Sequence, residues 1–136
     1  MNPRDAQEIT DTKNKYQLLV DSVQDYAIFL LDSSGYVETW NIGAENMNGY
    51  TPGEVIGQHI SMFYTPNDIS EGKPEKELLQ TAQELHIETE DWRVKKDDSR
   101  FWAVTTTTAL YSESGSLIGF AKITKDITDK NAVKML

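Results

Sequence analysis

No cysteine occurs among the 136 residues, so disulfides, thiol nucleophiles and thiolate metal sites are excluded. Histidine is nearly missing too: only His59 and His86 occur, and neither stands at metal-ligand spacing to a second histidine or a convergent carboxylate. Long apolar runs are absent. The longest, residues 27–31, falls far short of the ~20 residues that span a bilayer. The first residues, Met1-Asn2-Pro3-Arg4-Asp5, lack the apolar centre of a secretion signal, and a cytoplasmic location is expected. Positive charge is in short supply, with 13 lysines and arginines against 22 acidic residues, a net charge of -9 and a pI near 4.6. That balance argues against a nucleic-acid groove and suits a soluble acidic surface. There is neither a Gly-x-x-x-x-Gly-Lys-Thr phosphate loop nor a Gly-x-Ser-x-Gly elbow. Glu88, Glu90 and Asp91 read as a solvated strand face, and the chain is read as non-catalytic.

What remains is a series of short, sharply punctuated elements. Apolar positions at Ile9, Tyr16, Leu19, Val20 and Val23 form one helical stripe. Residues 26–31 are nearly continuously apolar, as a central strand buried on both faces would be. Asp32-Ser33-Ser34-Gly35 supplies turn formers, with Gly35 free to take a positive φ. Residues 35–40 alternate as a half-exposed second strand, and Asn41 stands where its side chain caps the helix that follows. Residues 42–47 and 51–56 are short helices broken by Gly49 and Gly57. Thr51-Pro52-Gly53-Glu54 is a helix start with proline first and a glutamate placed for a capping box. Residues 61–72 read as a polar loop, and 74–85 as a helix with Leu78, Leu79, Ala82 and Leu85 on one side. Three strands follow over 86–96, 100–111 and 116–127. From Asp129 a further helix begins, with Val133 and Leu136 on its apolar side. It is too short to stand alone, so a longer parent protein is expected.

In order and spacing these features resemble a PAS domain, a small sensor and interaction module of signalling proteins. The stretch from Tyr26 to Gly57 resembles its first half. Lys95-Lys96-Asp97-Asp98-Ser99-Arg100-Phe101-Trp102 resembles the hairpin between its third and fourth strands. Gly119-Phe120 through Asp126-Ile127-Thr128 resembles its last strand and Asp-x-Thr exit. The likeness covers roughly residues 14–128. It implies an α+β fold: a five-stranded antiparallel sheet in the order 2-1-5-4-3, short helices on one face, and the N-terminal amphipathic helix on the other face or at a dimer interface. It divides the chain into a flanking segment 1–23, the domain 24–128 and the root of a connector at 129–136. By the same resemblance, the module is a homodimer through its flanking helices. It passes a signal through Asp126 and Thr128 to a C-terminal output domain, with a sensor histidine kinase as the parent. A ligand-free dimerisation platform is the alternative, and a flavin-dependent redox sensor a third reading. Glu54 and Lys96 resemble a pair that bridges the helical segment to the hairpin.

The family's cofactors fit poorly. Photoreactive flavin members use a cysteine in the helical segment, and flavin members carry an asparagine on the third strand where Arg93 stands here. Haem members with a proximal histidine place it on the helix before that strand; residues 74–85 contain none, and His86 lies beyond them. Neither flavin nor haem is expected, nor any nucleic-acid or direct membrane contact.

In the family's register, Thr89, Asp91 and Arg93 share the inner face of the third strand. Ala103, Thr105, Thr107 and Ala109 line the fourth, and Phe120, Lys122 and Thr124 the fifth. This set is small and polar for a core, and an inward Arg93 is costly without a partner. Two readings stand. Arg93, Asp91, Thr105, Thr107 and Thr124 line a pocket for a small polar or anionic ligand, or the core is compact, with Arg93 bent outward or paired with Asp91 and water on the threonines. On the opposite face Trp92, Val94, Trp102, Val104, Leu110, Ala121 and Ile123 need a cover, which the helix over 9–23 can supply from the same chain or a partner. Tyr26, Trp40 and Tyr50 read as core aromatics.

Overall fold

The apolar run after the first helix becomes strand β1 (Ala27–Leu31), and the alternating stretches later in the chain become β2 (His86–Val94), β3 (Arg100–Tyr111) and β4 (Leu117–Asp126). They belong to a computed structural model that describes residues 3–129. The strands form one antiparallel sheet in the order β1-β4-β3-β2. Helix α1 (Pro3–Ser22) precedes it. Between β1 and β2 lie α2 (Ile42–Asn48), α3 (Pro52–Val55), a 3-10 turn (Ile60–Phe63), α4 (Pro66–Ser70) and α5 (Lys73–Glu84). The core fills the space between these short helices and one face of the sheet, and Phe29, Leu31, Trp40, Phe63, Leu78 and Phe120 are buried in it. Trp40 stacks on Phe63, with ring centres 5.2 Å apart, and donates its indole N–H to the Tyr50 carbonyl at 2.9 Å. The aromatic ring thus packs while its one polar atom stays satisfied.

Among the described residues the sheet has four strands, not the five expected. Residues 35–40 approach β1 but make only isolated bridges, Leu31 to Val37 and Tyr36 to His59. The reason lies in who accepts the β1 amides. Leu30 N–H donates to the Thr39 hydroxyl at 3.0 Å, and Ile28 N–H donates to Asn41 Oδ1 at 2.9 Å. Side chains take the place of a backbone ladder. Val37 meanwhile exchanges its backbone bonds with Gly57 and Gln58. Nor is β1 buried on both faces: it edges the hydrogen-bonded sheet, and Leu30 on its outer face is exposed.

Two local features hold this corner. Asp32 Oδ1 accepts from the amides of Ser34 and Tyr36, closing a turn in which Gly35 sits at φ +91°. Asn41 caps α2 by accepting from Ala44 N–H at 2.9 Å, and its amide nitrogen donates to the carbonyls of Val20, Val23 and Tyr26. One buried side chain thus joins the end of α1, β1 and the start of α2. Gly43 in α2 lies so close to the chain that an added Cβ would meet the Tyr26 carbonyl oxygen at 2.0 Å.

Residues 61–72 are not a plain polar loop. They carry most of the 3-10 turn and α4, and bury Phe63, Tyr64 and Thr65. Thr65 accepts from Asp68 N–H at 3.2 Å, with Pro66 in the first turn, which starts α4. In α5 the buried stripe is Pro74, Glu77, Leu78 and Thr81, while Leu79 and Leu85 point to solvent. The expected apolar side is therefore rotated, and a glutamate lies inside. The outer face of the sheet is not covered by α1: Trp92 is 38% exposed and Ile123 43%, while Leu18 and Leu19 on α1 are 69% and 59% exposed.

Candidate functional site: a charged cavity and the exit of the last strand

Strand alternation places Ile87, Thr89, Asp91 and Arg93 of β2 on the inner side, with Phe101, Ala103, Thr105, Thr107 and Ala109 of β3 and Phe120, Lys122 and Thr124 of β4. Arg93 is 6% exposed and Lys122 2%. Such cations are rarely enclosed without compensation. The guanidinium of Arg93 stands 4.0 Å from the centre of the Tyr64 ring and 3.7 Å from a Glu77 carboxylate oxygen. The same oxygen accepts from the Tyr64 hydroxyl at 2.8 Å. Burial, with Glu77 beside it, pushes the Tyr64 pKa far up despite the Arg93 charge, so the phenol stays protonated and donates. Arg93 also donates to the Trp92 carbonyl at 3.2 Å.

Asp91 does not pair with Arg93. It accepts from Lys73 at 2.7 Å, at the rim beside Asp68. Burial works against the Lys73 charge there, but the hydrogen bond and charge of Asp91 outweigh it and the net pKa shift is upward. Thr105 and Thr124 face each other with their hydroxyls 3.1 Å apart. Thr107 lies next to Lys122 across the strands, and among the described residues its hydroxyl has no hydrogen-bond partner; nor has the second carboxylate oxygen of Glu77. Lys122 makes no hydrogen bond or ion pair with a described residue. Burial first, then the nearby Arg93 charge, lowers its pKa to about 8, with Glu77 opposing. Arg93, Lys122, Thr105, Thr124, Asn48 and Tyr64 line part of a cavity of about 20 Å³, room for one water or an ion of similar size. Among the described residues no group of His, Asp or Glu is placed to hold a metal, and no helix is long and apolar enough to cross a membrane.

Sequence reasoning placed Arg93, Thr105, Thr107 and Thr124 on the inner face but missed Glu77 and Tyr64. Glu77 was within reach of pattern reading, since it lies on the stripe of Pro74, Leu78 and Thr81. Lys122 was placed inward without being read as part of the site.

At the end of β4, Asp126 Oδ1 accepts from the Thr128 amide at 2.9 Å and from its hydroxyl. That hydroxyl accepts in turn from Trp102 N–H at 2.9 Å, and Ile127 N–H donates to the Trp102 carbonyl. The exit is therefore pinned to β3. Trp102 packs edge-on against Trp92 with ring centres 5.0 Å apart, one residue from Arg93. Glu54 and Lys96 form an ion pair, and Lys96 N–H donates to the Asn48 carbonyl. The Lys96 hydrogen bond and the Thr51 amide lower the Glu54 pKa to about 2. Val133 and Leu136, expected on a connector helix, lie outside the described residues.

Known proteins share this sequence pattern and fold. Two-component system protein A of Emericella nidulans is 46% identical over 115 residues, 85% of this chain and 17% of the relative. The signal transduction histidine-protein kinase AtoS of Escherichia coli is 28% identical over 123 residues, 90% of this chain and 19% of the relative. The chain thus spans less than a fifth of either relative. The crystal structure of a PAS domain from Colwellia psychrerythraea superposes with a TM-score of 0.77 at 26% identity, covering 89% of this chain and 98% of that one. A family model described as PAS domain matches residues 25–129, and the chain belongs to the PAS domain family.

Proposed function

We propose that residues 24–128 form a non-catalytic, cytoplasmic sensory module that receives a signal in its core or at its surface. It passes the signal through Asp126 and Thr128 to an output domain beyond residue 129, within a two-component phosphorelay protein of the histidine kinase type. The observation that carries this reading is the pinned exit: Thr128 bonds at once to Asp126 and to the Trp102 amide. A shift of β3 against β4 is thereby transmitted to the departing chain, and two positions of such a joint can be biased by a ligand or partner. The relatives' names, a two-component protein and a histidine kinase, support the parent class. Thr128→Ala in the full-length parent is the test. It removes a cap-like bond worth about 1 kcal/mol, so the domain stays folded while signal response is lost. An unchanged response would refute the role.

Dimerisation is the second part of the proposal, supported by apolar side chains that the chain leaves uncovered on α1 and on the outer sheet face. A homodimer through the flanking helices is expected to sediment as such at high micromolar concentration and to weaken when residues 1–22 are removed. A monomer in both forms would count against it. If the dimer persists and no ligand changes the output, the module is a ligand-free platform.

A further inference from the structure

We propose that the cavity between Arg93 and Lys122 binds a single monovalent anion of about the size of chloride. The proposal deepens the sensory reading by naming what the core holds. It rests on that reading for the anion's meaning as a signal, not for its binding.

The argument begins with charge. Two cations, Arg93 and Lys122, face one carboxylate, Glu77, in a closed core. One oxygen of Glu77 is already engaged by Arg93 and by the Tyr64 hydroxyl; its other oxygen has no partner among the described residues and does not line the cavity. Lys122, 2% exposed, lines the cavity with no hydrogen-bond acceptor on its ammonium among the described residues. A buried, uncompensated ammonium has two routes out: it releases its proton, or it takes up a counter-ion. Water could solvate the ammonium but would leave the charge excess in place. A monovalent anion removes the excess and accepts charge-assisted hydrogen bonds from the lining cations.

Size and lining set the class. About 20 Å³ admits one water or a halide but excludes a dicarboxylate. Thr105 and Thr124 offer hydroxyls that can turn toward an anion, while Phe29, Trp40, Phe63 and Phe101 exclude bulk water on the other sides. The ionisable groups acting on Lys122 are Arg93 from β2 and Glu77 from α5. Tyr64, after the 3-10 turn, also lines the cavity as a neutral phenol. Because burial and the Arg93 charge pull the Lys122 pKa down to about 8, anion and proton are expected to bind together, and affinity falls as the solution becomes alkaline.

The test uses the chain itself, in sodium gluconate exchanged for sodium chloride or bromide at fixed ionic strength. Near neutral pH each halide is expected to raise the melting temperature saturably, by about 3–6 °C at ten times its Kd. The rise shrinks at about pH 9.5 as Lys122 becomes neutral. Lys122→Met, which keeps the stem and removes the charge, is expected to fold and to show no halide response. A bromide-soaked crystal of the wild-type chain is expected to show an anomalous peak between Arg93 and Lys122. Absence of that peak, a halide response that survives in Lys122→Met, or an equal response to succinate would overturn the proposal. Halide binding that leaves the parent's output unchanged would instead refute the sensory reading and leave the anion site standing.

Discussion

The two faces of the sheet are made by the same strands, and each departs from the usual distribution of side chains: polar residues stand among the buried apolar ones inside, and apolar residues among the exposed polar ones outside. The inner face carries Arg93, Lys122, Thr105, Thr107 and Thr124 and is closed. The outer face carries Trp92, Trp102, Val104 and Ile123 and is partly open. A sheet packed on one side normally alternates apolar inside and polar outside. Here each face lacks something of a different kind. The inner face has more positive charge than its one buried carboxylate balances, and only a small group fits beside it. The outer face has apolar area, and only a helix or another protein surface covers it. Under the proposed function, signal input and assembly would fall on opposite sides of one β-strand: Arg93 points to the cavity while Trp92 points away.

The largest effect is expected at the inner face. Arg93→Ala leaves Glu77 buried without its cation, which costs about 3–5 kcal/mol by urea denaturation. Removing both charges, as Arg93→Met with Glu77→Leu, is expected to recover most of that loss. If the double variant is no more stable than the single one, the pair is not what makes this face costly to disturb.

Lys122 acts in the opposite direction. Its folded pKa of about 8 lies below the unfolded value of 10.5, so the unfolded chain holds the proton more tightly. Stability therefore rises with pH between those values, by something of the order of 3 kcal/mol in halide-free buffer. Lys122→Met is expected to lose that rise, and denaturant curves at several pH values check it.

Changes on the outer face are smaller. Trp92→Ala removes an edge-on ring contact worth about 1 kcal/mol and leaves the monomer folded. Its main expected effect is on self-association, read by sedimentation. A loss as large as that of Arg93→Ala would erase the contrast between the faces.

The smallest effect belongs to Glu54. Its pair with Lys96 is solvent-exposed, so Glu54→Gln is expected to leave the melting temperature at neutral pH nearly unchanged. The depressed carboxyl pKa contributes stability above 4.5 that is lost as the pH falls toward about 2. Solvent screening keeps that contribution small, so whatever slight difference separates wild type from variant at neutral pH should vanish at the lower end of that window.

The inner and outer sets could be read from alternation because Trp92 and Val94 bracket Arg93 and fix its direction. The family's hairpin and exit motif placed β3 and β4 to within a residue or so. What escaped was held by side chains rather than by pattern. Residues 35–40 alternate like a strand, yet Thr39 and Asn41 accept the amides that a strand's carbonyls would have taken. Glu77 lies on the buried stripe of α5, but its role shows only when Arg93 and Tyr64 are brought across the core to meet it. Likewise Asp91 seems the nearer partner for Arg93 until Lys73, from the first turn of α5, takes it instead.

The most direct test of the charged, closed inner face is the titration of Lys122 itself, followed by the NMR signal of its side-chain Cε in sodium gluconate. The expected midpoint is about 8, moving upward when chloride is added. A midpoint at the ordinary lysine value of 10.5, insensitive to chloride, would contradict it.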